Sequence, residues 1–200
     1  NMNFLEKKKI LLIISGGIAA YKSLDLIRSL IKIQCEVKTI LTKGGSEFVT
    51  PLSIASLSKN KVYSDMYSVE NESEMDHISL SRWADLILIA PATSNIIAKM
   101  SQGISDDLAT TVVQASNKSI FVCPAMNVRM WEHASNKQNL EKIKSYNYRI
   151  IGPFNGEMAC GEYGDGRMAD IKYILNELDN FFKSKSNNKK FKAVVTAGPT

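Results

Sequence analysis

The run Ile10-Leu11-Leu12-Ile13-Ile14-Ser15-Gly16-Gly17 decides how the chain begins to fold. A continuous apolar stretch of this length is typical of a strand buried in a parallel sheet. The glycines end that strand, and apolar residues then recur near helical spacing from Ile18 to Ile33. Cys35–Leu41 predicts a second strand, so the first forty residues form a βαβ unit with a right-handed crossover.

The same alternation continues to the end of the chain and predicts the fold class. Further strands are predicted at Asp85–Ala90, Ser119–Cys123 and Tyr148–Ile151, and helices at Thr50–Leu57, Ser94–Met100, Asp107–Ala115, Asn127–Ser145 and Asp170–Phe182. Residues 62–76 are predicted to be loop, and 152–166 a glycine-rich loop. This order predicts an α/β protein with a Rossmann-like (flavodoxin-like), three-layer, doubly wound parallel sheet. Ligands bind such sheets beyond the carboxyl ends of the strands.

Composition excludes several classes of function. The net charge of +5 comes partly from lysine-rich stretches at 7–9 and 183–192, which no aromatic stacking pattern accompanies, so nucleic-acid binding is not predicted. A phosphorylated small molecule explains the mild positive excess equally well. No apolar run is long enough to span a membrane, and three scattered cysteines and two distant histidines predict neither disulfides nor a metal site. We therefore expect a cytoplasmic protein.

The C-terminal residues predict a domain boundary. Residues 1–183 hold the complete α/β pattern, and Ser184–Lys190 has the composition of a linker. In 191–200, the apolar Ala193-Val194-Val195-Thr196 leads into Ala-Gly-Pro-Thr, which predicts the first strand of a second domain whose remainder lies outside this sequence.

The turns after the first two strands predict a phosphate-binding region. Gly16, Gly17 and Ile18 stand between a strand and a helix, where backbone N–H groups can approach a phosphate. The segment is not a dinucleotide fingerprint, and the second strand ends in Thr42-Lys43 instead of an acidic residue. A mononucleotide site is therefore favoured over a dinucleotide site, with a simple tight turn as the alternative.

Two later strands each end in proline and lead to an asparagine. Thr93-Ser94-Asn95 follows Pro91, and Ala125-Met126-Asn127 follows Pro124. Each asparagine could cap a helix, or both amides could face one crevice and bind the polar edge of a ligand. The sequence leaves both interpretations open.

Two segments offer groups for proton transfer. His77 precedes the third predicted strand, and an unperturbed imidazole suits proton transfer near neutral pH. The loop Met158-Ala159-Cys160-Gly161, continuing to Met168, contains three glycines in six residues and is typical of a flap over an active site. Cys160 in such a flap is a candidate acid or nucleophile, with an incidental exposed thiol as the alternative.

Four segments together resemble one known family. They are Ser15–Lys22, His77–Leu80, the Pro-Ala-Met-Asn-x-x-Met run of 124–130 and the Ala-Cys-Gly-x-x-Gly-x-Gly-Arg-Met loop of 159–168. The chain resembles the homo-oligomeric flavin-containing cysteine decarboxylases, in particular the decarboxylase halves of bifunctional phosphopantothenoylcysteine decarboxylase/phosphopantothenate–cysteine ligases. Residues 191–200 resemble the first strand of the ligase half.

The resemblance implies a cofactor, a reaction and residue roles. FMN would contact Gly16, Gly17, Ile18, Thr42, Thr93, Ser94, Asn95 and Ala125, although the family's Pro-x-Ser-Ala-Asn-Thr pattern reads Pro-Ala-Thr-Ser-Asn-Ile here. His77 would be the base, Asn127 would hold the substrate carboxylate with Met126, Met158 and Ala159 beside it, and Cys160 would be the late proton donor. The implied reaction converts 4′-phospho-N-pantothenoylcysteine to 4′-phosphopantetheine in coenzyme A biosynthesis, through a thioaldehyde and an enethiolate.

The resemblance also implies trimers that assemble into dodecamers, with sites at subunit contacts. Three relatives are weighed as alternatives: a peptidyl-cysteine decarboxylase, which should lack the loop cysteine, a flavin-binding regulatory subunit, which usually carries an acidic tail, and a flavin prenyltransferase. Cys160 and the ligase-like C-terminal segment favour the phosphopantothenoylcysteine decarboxylase, and ligase activity is not expected from these 200 residues.

Overall fold

The structure is a computed structural model that describes residues 2–64, 74–158 and 160–198, without the side chains of 74–76. Six strands form one parallel sheet: β1 (Lys9–Ile14), β2 (Glu36–Leu41), β3 (Val62–Ser64), β4 (Leu86–Ala92), β5 (Ile120–Pro124) and β6 (Arg149–Ile150). The strand order is β3-β2-β1-β4-β5-β6. The helices are α1 (Lys22–Lys32), α2 (Pro51–Ser58), α3 (Glu74–Trp83), α4 (Ser94–Gln102), α5 (Leu108–Ala115), α6 (Val128–Glu132), α7 (Ala134–Ser145) and α8 (Ile171–Thr196). The predicted doubly wound parallel fold is confirmed.

The central strand explains why the opening apolar run is continuous. Ile10, Leu12 and Ile14 pack into an apolar cluster with α1 and α8, while Leu11 and Ile13 pack into a second cluster with α4 and α5. All five side chains are fully buried, because successive residues of a strand point to opposite faces and helices cover both. The chain leaves β1 toward β2 on one side, and β4 lies on the other, so the carboxyl ends of β1 and β4 form the topological switch point.

The segment 62–76 was predicted to be loop, and that prediction is wrong where the structure describes it. Val62–Ser64 is the parallel edge strand β3, and α3 begins at Glu74; residues 65–73 lie outside the described part. A three-residue strand at a sheet edge carries too little apolar alternation to be read from sequence, since its partner β2 decides its conformation.

Two predictions beyond β5 also need correction. The predicted helix 127–145 is two helices, α6 and α7, because His133 takes an extended conformation (φ −61°, ψ 136°) between them. The predicted loop 152–166 contains an antiparallel hairpin of β7 (Phe154–Glu157) and β8 (Tyr163–Arg167). Glycines at alternate positions leave this hairpin without the apolar signal of a strand.

The C-terminal prediction differs from the structure as well. Ser184–Lys190 and the predicted strand 193–196 continue α8 as helix up to Thr196. Phe191 and Val194 are 72% and 73% exposed there, so the extension has almost no packing. A strand needs a neighbouring strand for its hydrogen bonds, whereas a helix satisfies its own backbone, and the described part offers no such neighbour to 193–196. None of the helices described is both long and apolar enough to cross a membrane.

A candidate active site at the switch point

A cavity of about 770 Å³ lies beyond the carboxyl ends of β1, β2, β4 and β5. Parallel pairing brings these ends together, since Ile14 pairs with Leu41 and Ala92 pairs with Pro124. The cavity is lined by twelve residues that the sequence singled out: Gly16, Gly17, Ile18, Thr42, Thr93, Ser94, Asn95, Ala125, Met126, Asn127, Met158 and Cys160. Cavities of 300–1,000 Å³ are the usual size of small-molecule sites.

Ser15 joins the two strands that flank the switch point, and the sequence analysis did not assign it to the site. Its hydroxyl donates to the carbonyl oxygen of Pro91 at 2.7 Å and accepts from the backbone N–H of Thr93 at 3.0 Å. The side chain is only 3% exposed, and the contacts span 76 and 78 residues of sequence. A single serine after a strand does not reveal such a link in the sequence. The link exists because β4 lies next to β1 in the sheet.

The predicted phosphate end of the cavity is built from two backbone turns in close contact. A Cβ added at Gly16 would lie 3.1 Å from the carbonyl carbon of Gly44, so the turns after β1 and β2 meet where a side chain would separate them. The buried Thr42 hydroxyl accepts from the N–H of Gly45 at 3.0 Å and keeps its proton for a ligand. A helical turn begins at Ile18, and the first N–H groups of a helix have no partner within it. These groups suit a phosphate.

The two asparagines differ in what they do locally. Asn127 caps α6, because its side-chain oxygen accepts from the N–H of Met130 at 2.8 Å. Its amide NH₂ has no hydrogen-bond partner within the described part, so it can also donate to a ligand. Asn95 does not cap α4, because Thr93 is the N-cap and accepts from Ile96 at 3.2 Å. Capping and ligand binding are therefore compatible at Asn127, and Asn95 is exposed toward the cavity.

The hairpin β7–β8 carries the cysteine segment to the cavity. Met158 and Cys160 line it from the hairpin tip, and Gly166 and Arg167 line it from β8. Cys160 is exposed, whereas Cys35 and Cys123 are buried in the core. Burial raises the pKa of the Cys35 thiol to about 12 and raises the pKa of Cys123 further, so neither forms a thiolate near neutral pH.

Two predicted site residues are not placed at the cavity. His77 lies in α3, partly buried, and is not among the residues that line the cavity of a single chain. Ala159 lies outside the described residues.

The cavity also holds charged residues that the sequence analysis did not assign to it. The ammonium of Lys99 contacts both carboxylate oxygens of Asp106 at 3.1 Å and lies 3.8 Å from Asp107. Lys22, the first residue of α1, faces the same cavity, and Arg167 faces it from β8. Burial, and next the positive charge of Arg167, hold the pKa of Lys22 below its usual value. Lysine and arginine are common on protein surfaces, so only their position in the structure identifies these three as residues of the cavity.

The cavity fits a flavin that carries a phosphate by its chemistry. Apolar side chains line the cavity, among them Ala125, Met126 and Met130 after β5 and Ile18 after β1, and they would cover a flat aromatic ring system. The glycine turns and Thr42 offer donors for a phosphate at the β2 end. A thiol and an amide stand beside the apolar part, where a bound substrate could be held and protonated.

A family model described as Flavoprotein matches residues 2–183. The chain is 41% identical over 196 residues to the coenzyme A biosynthesis bifunctional protein CoaBC of Haemophilus influenzae, which covers 98% of this chain and 49% of that protein. The CoaBC of Escherichia coli is 39% identical over 196 residues, again 98% of this chain and 48% of that protein. The chain thus spans about half the length of the curated relatives it matches.

Solved structures support the same relationship. A PPC decarboxylase variant in complex with pantothenoylaminoethenethiol superposes with a TM-score of 0.77 at 31% identity, over 89% of this chain and 100% of that one. The FMN-binding protein AtHal3 gives a TM-score of 0.79 at 31% identity, over 90% and 98%. The peptidyl-cysteine decarboxylase EpiD gives 0.71 at 25% identity, over 84% and 96%.

Proposed function

Because this chain belongs to the Flavoprotein family and matches about half the length of bifunctional coenzyme A biosynthesis proteins, we propose that it decarboxylates 4′-phospho-N-pantothenoylcysteine to 4′-phosphopantetheine. The observation that carries the proposal is the meeting of Asn127 and Cys160 in one cavity with a mononucleotide-type backbone cradle. The fold alone would not suffice, since function depends on the residues of the site.

The proposed cofactor is FMN, held by the residues from Gly16 to Ile18, by Thr42, by Thr93 to Asn95 and by Ala125. Two features of the cavity support FMN: the hydrogen-bond donors near Thr42 suit its phosphate, and the apolar side chains suit its ring system. When bound, FMN would supply the oxidation of the cysteine side chain to a thioaldehyde and the later return of the two electrons. Loss of carbon dioxide next to the thioaldehyde then leaves an enethiolate.

Residues of this chain would position the substrate and transfer its protons. The free NH₂ of Asn127 donates to the substrate carboxylate, and its orientation is fixed because its oxygen caps α6. Met126, Met158 and Ala159 contact the substrate from the turn after β5 and the hairpin tip. Cys160 donates a proton to the carbon of the enethiolate that has lost carbon dioxide, and the two electrons that a bound flavin would hold would complete the reduction to the saturated thiol product.

His77 is the proposed base, and it would act from a neighbouring copy of the chain. It does not line the cavity of its own chain, and exposed apolar side chains lie beside it and around the cavity: Ile78 at 40%, Ile18 at 51% and Phe48 at 49% exposure. Such side chains favour a contact between copies. The family resemblance implies a trimer, further assembled into a dodecamer, and we propose this assembly with each site completed by His77 of another copy.

The full-length protein is proposed to carry a ligase domain after residue 190, with 184–190 as the linker, because the curated relatives are about twice as long. The extended α8 described here would then change conformation when the rest of that domain is present. A cytoplasmic location stays a prediction.

Mass spectrometry of the products tests the proposed reaction. Purified protein loaded with FMN is mixed with 4′-phosphopantothenoylcysteine, and 4′-phosphopantetheine should appear. His77→Asn should abolish it, whereas His133→Asn should not, because Asn preserves the N-cap that His133 provides for α7. Cys160→Ser should accumulate a decarboxylated product two hydrogens lighter. No product despite bound FMN would refute the proposal, and a peptide ending in cysteine would then be tried as substrate.

A mixing experiment tests the shared site. His77→Asn and Cys160→Ser proteins are co-expressed with different affinity tags, and mixed oligomers are isolated by both tags. Activity restored above that of either parent would support a site formed by two copies. Mixed oligomers without activity would show that His77 acts within its own chain or not at all.

A further inference from the structure

Four basic side chains line the cavity, and their surroundings differ. Lys99 is neutralised by Asp106 and Asp107. Lys43 is exposed and stands in the turn after β2, next to Thr42. Lys22 and Arg167 come from elements far apart in the chain, and both line the cavity, close enough for the charge of Arg167 to lower the pKa of Lys22.

Lys22 is held in a position that is unfavourable for an ammonium group. It is partly buried at the start of α1, and it has no hydrogen bond or ion pair to any residue of the described part. Burial lowers its pKa first, and the positive charge of Arg167 lowers it further, while Asp170 opposes both effects. An ammonium that is partly removed from water and lies near a second cation gains from a bound anion.

Arg167 is fixed by its neighbours yet keeps donors unused. One terminal nitrogen contacts a carboxylate oxygen of Asp170 at 2.9 Å, and the guanidinium lies 5.8 Å from the ring centre of Phe154. Its Nε has no hydrogen-bond partner within the described part, but it is fully buried, so the donors for a ligand are the terminal nitrogens. Lys22 and Arg167 both line the cavity, and Asp170 is the carboxylate whose charge acts on Lys22, so these three side chains together carry a net charge of +1.

We propose that Lys22 and Arg167 form a second anion subsite of this cavity, which binds the phosphate of a phosphomonoester. A guanidinium next to a lysine ammonium suits phosphate. The planar fork of the guanidinium donates N–H hydrogen bonds to phosphate oxygens, and the ammonium adds positive charge. The inference rests on the proposed function, which places two phosphorylated molecules in one cavity. Thr42 and Lys43 suit one phosphate, and Lys22 with Arg167 suits the other.

The test compares each phosphorylated ligand with its dephosphorylated form. In one arm, flavin-free protein is titrated with FMN and with riboflavin, and the ratio of the two dissociation constants is measured. In the other arm, the KM for 4′-phosphopantothenoylcysteine is compared with the KM for pantothenoylcysteine. Lys22→Gln and Arg167→Gln are the test variants. Lys32→Gln is the matched control, because it removes the same charge from the exposed far end of α1.

The subsite predicts a change in one of these two ratios. Loss of a charged hydrogen bond should weaken the phosphorylated ligand about 10- to 100-fold and leave the dephosphorylated ligand nearly unchanged. A shift in the substrate ratio assigns the subsite to the substrate, and a shift in the flavin ratio assigns it to the cofactor. Arg167→Lys, which keeps the charge but not the fork, should recover only part of the loss.

Two outcomes would overturn the proposal. The first is that both ratios stay within twofold of the wild-type values, as with Lys32→Gln. The second is an equal loss for the phosphorylated and dephosphorylated members of a pair, which would mean that the two cations hold some other group. If the unaltered protein turned over neither acyl-cysteine, the proposed reaction would be refuted separately. An unchanged ratio for FMN and riboflavin would then overturn the subsite too, because no phosphorylated ligand would be left for it.

Discussion

The backbone N–H of Met126 donates a hydrogen bond to the carbonyl oxygen of Gly166 at 3.0 Å, and this bond fixes the hairpin β7–β8 against the turn after β5. The approach is so close that a Cβ added at Gly166 would collide with the carbonyl oxygen of Met126. The turn carries Asn127 and the hairpin carries Cys160, so one backbone contact sets the distance between the two proposed substrate-handling residues.

The first prediction tests that contact. Gly166→Ala should lower the free energy of unfolding by about 2–4 kcal/mol, since it adds steric conflict to an unfavourable φ of +130°. Gly161→Ala is the control, because φ is also positive there (+84°) but nothing lies within 4 Å of the added Cβ. Urea unfolding of both variants measures the difference. Equal losses of stability in the two variants would show that the close contact with Met126 adds nothing to the cost of the substitution at Gly166.

The second prediction concerns the link at the switch point. Ser15→Ala leaves the N–H of Thr93 without its buried acceptor, which should lower the free energy of unfolding by about 1–3 kcal/mol and weaken flavin binding. Ser46→Ala removes an exposed hydroxyl that donates to Lys43, and should change stability by less than about 0.5 kcal/mol. Denaturant unfolding and flavin fluorescence measure both effects. A Ser15 variant as stable as the Ser46 variant would contradict this account.

The third prediction concerns thiol reactivity. Near pH 8 a thiol reagent should modify Cys160 rapidly and leave Cys35 and Cys123 unmodified until the protein unfolds. The buried thiols are protected by access and by pKa values that burial raises, to about 12 for Cys35. Mass spectrometry of digested protein assigns the sites over time. Early modification of Cys35 or Cys123 would mean that the core opens locally.

The fourth prediction concerns the exposed end of α8. A chain ending at Lys183 should unfold within about 0.5 kcal/mol of the 200-residue chain, because the last buried side chains of α8 are Phe181 and Phe182. Phe182→Ala should instead lower the free energy of unfolding by about 3–5 kcal/mol, since it leaves a cavity in the core. Calorimetry compares the three proteins. A marked loss in the shortened chain would show that the extension packs on another surface.

The fifth prediction follows from the pKa of Lys22. Because this pKa is lower in the folded chain than in the unfolded chain, the unfolded chain binds more protons between the two values, and wild-type stability rises with pH in that window. Without ligand, Lys22→Gln should therefore be more stable than wild type below the lowered pKa, and this advantage should shrink as pH approaches 10.5. Unfolding free energies measured from pH 7 upward check the sign. An advantage that grew with pH would contradict it.

Much of the fold and of the cavity could be predicted from local pattern. The run Ile10–Ile14 identifies the central strand because a side chain buried on either face must be apolar, and the residues after each predicted strand meet because parallel strands end at one edge. That rule predicts from sequence that Gly16, Thr42, Asn127 and their neighbours lie together, and all three line the cavity. The hairpin could not be read, because its glycines carry no periodicity.

The amino-acid sequence by itself determined the layered α/β fold, the strand ends that form the site and the presence of an unusual cysteine segment, since these depend on neighbours along the chain. Only the tertiary structure decided which polar groups from distant parts of the chain meet at the site. Ser15 reaches Pro91 over 76 residues, the charge of Arg167 acts on Lys22 from the other end of the chain, and His77 is not among the residues that line the cavity of its own chain. Hydrogen bonds and charge interactions act over a few ångströms of space, and separation in sequence carries no record of that distance.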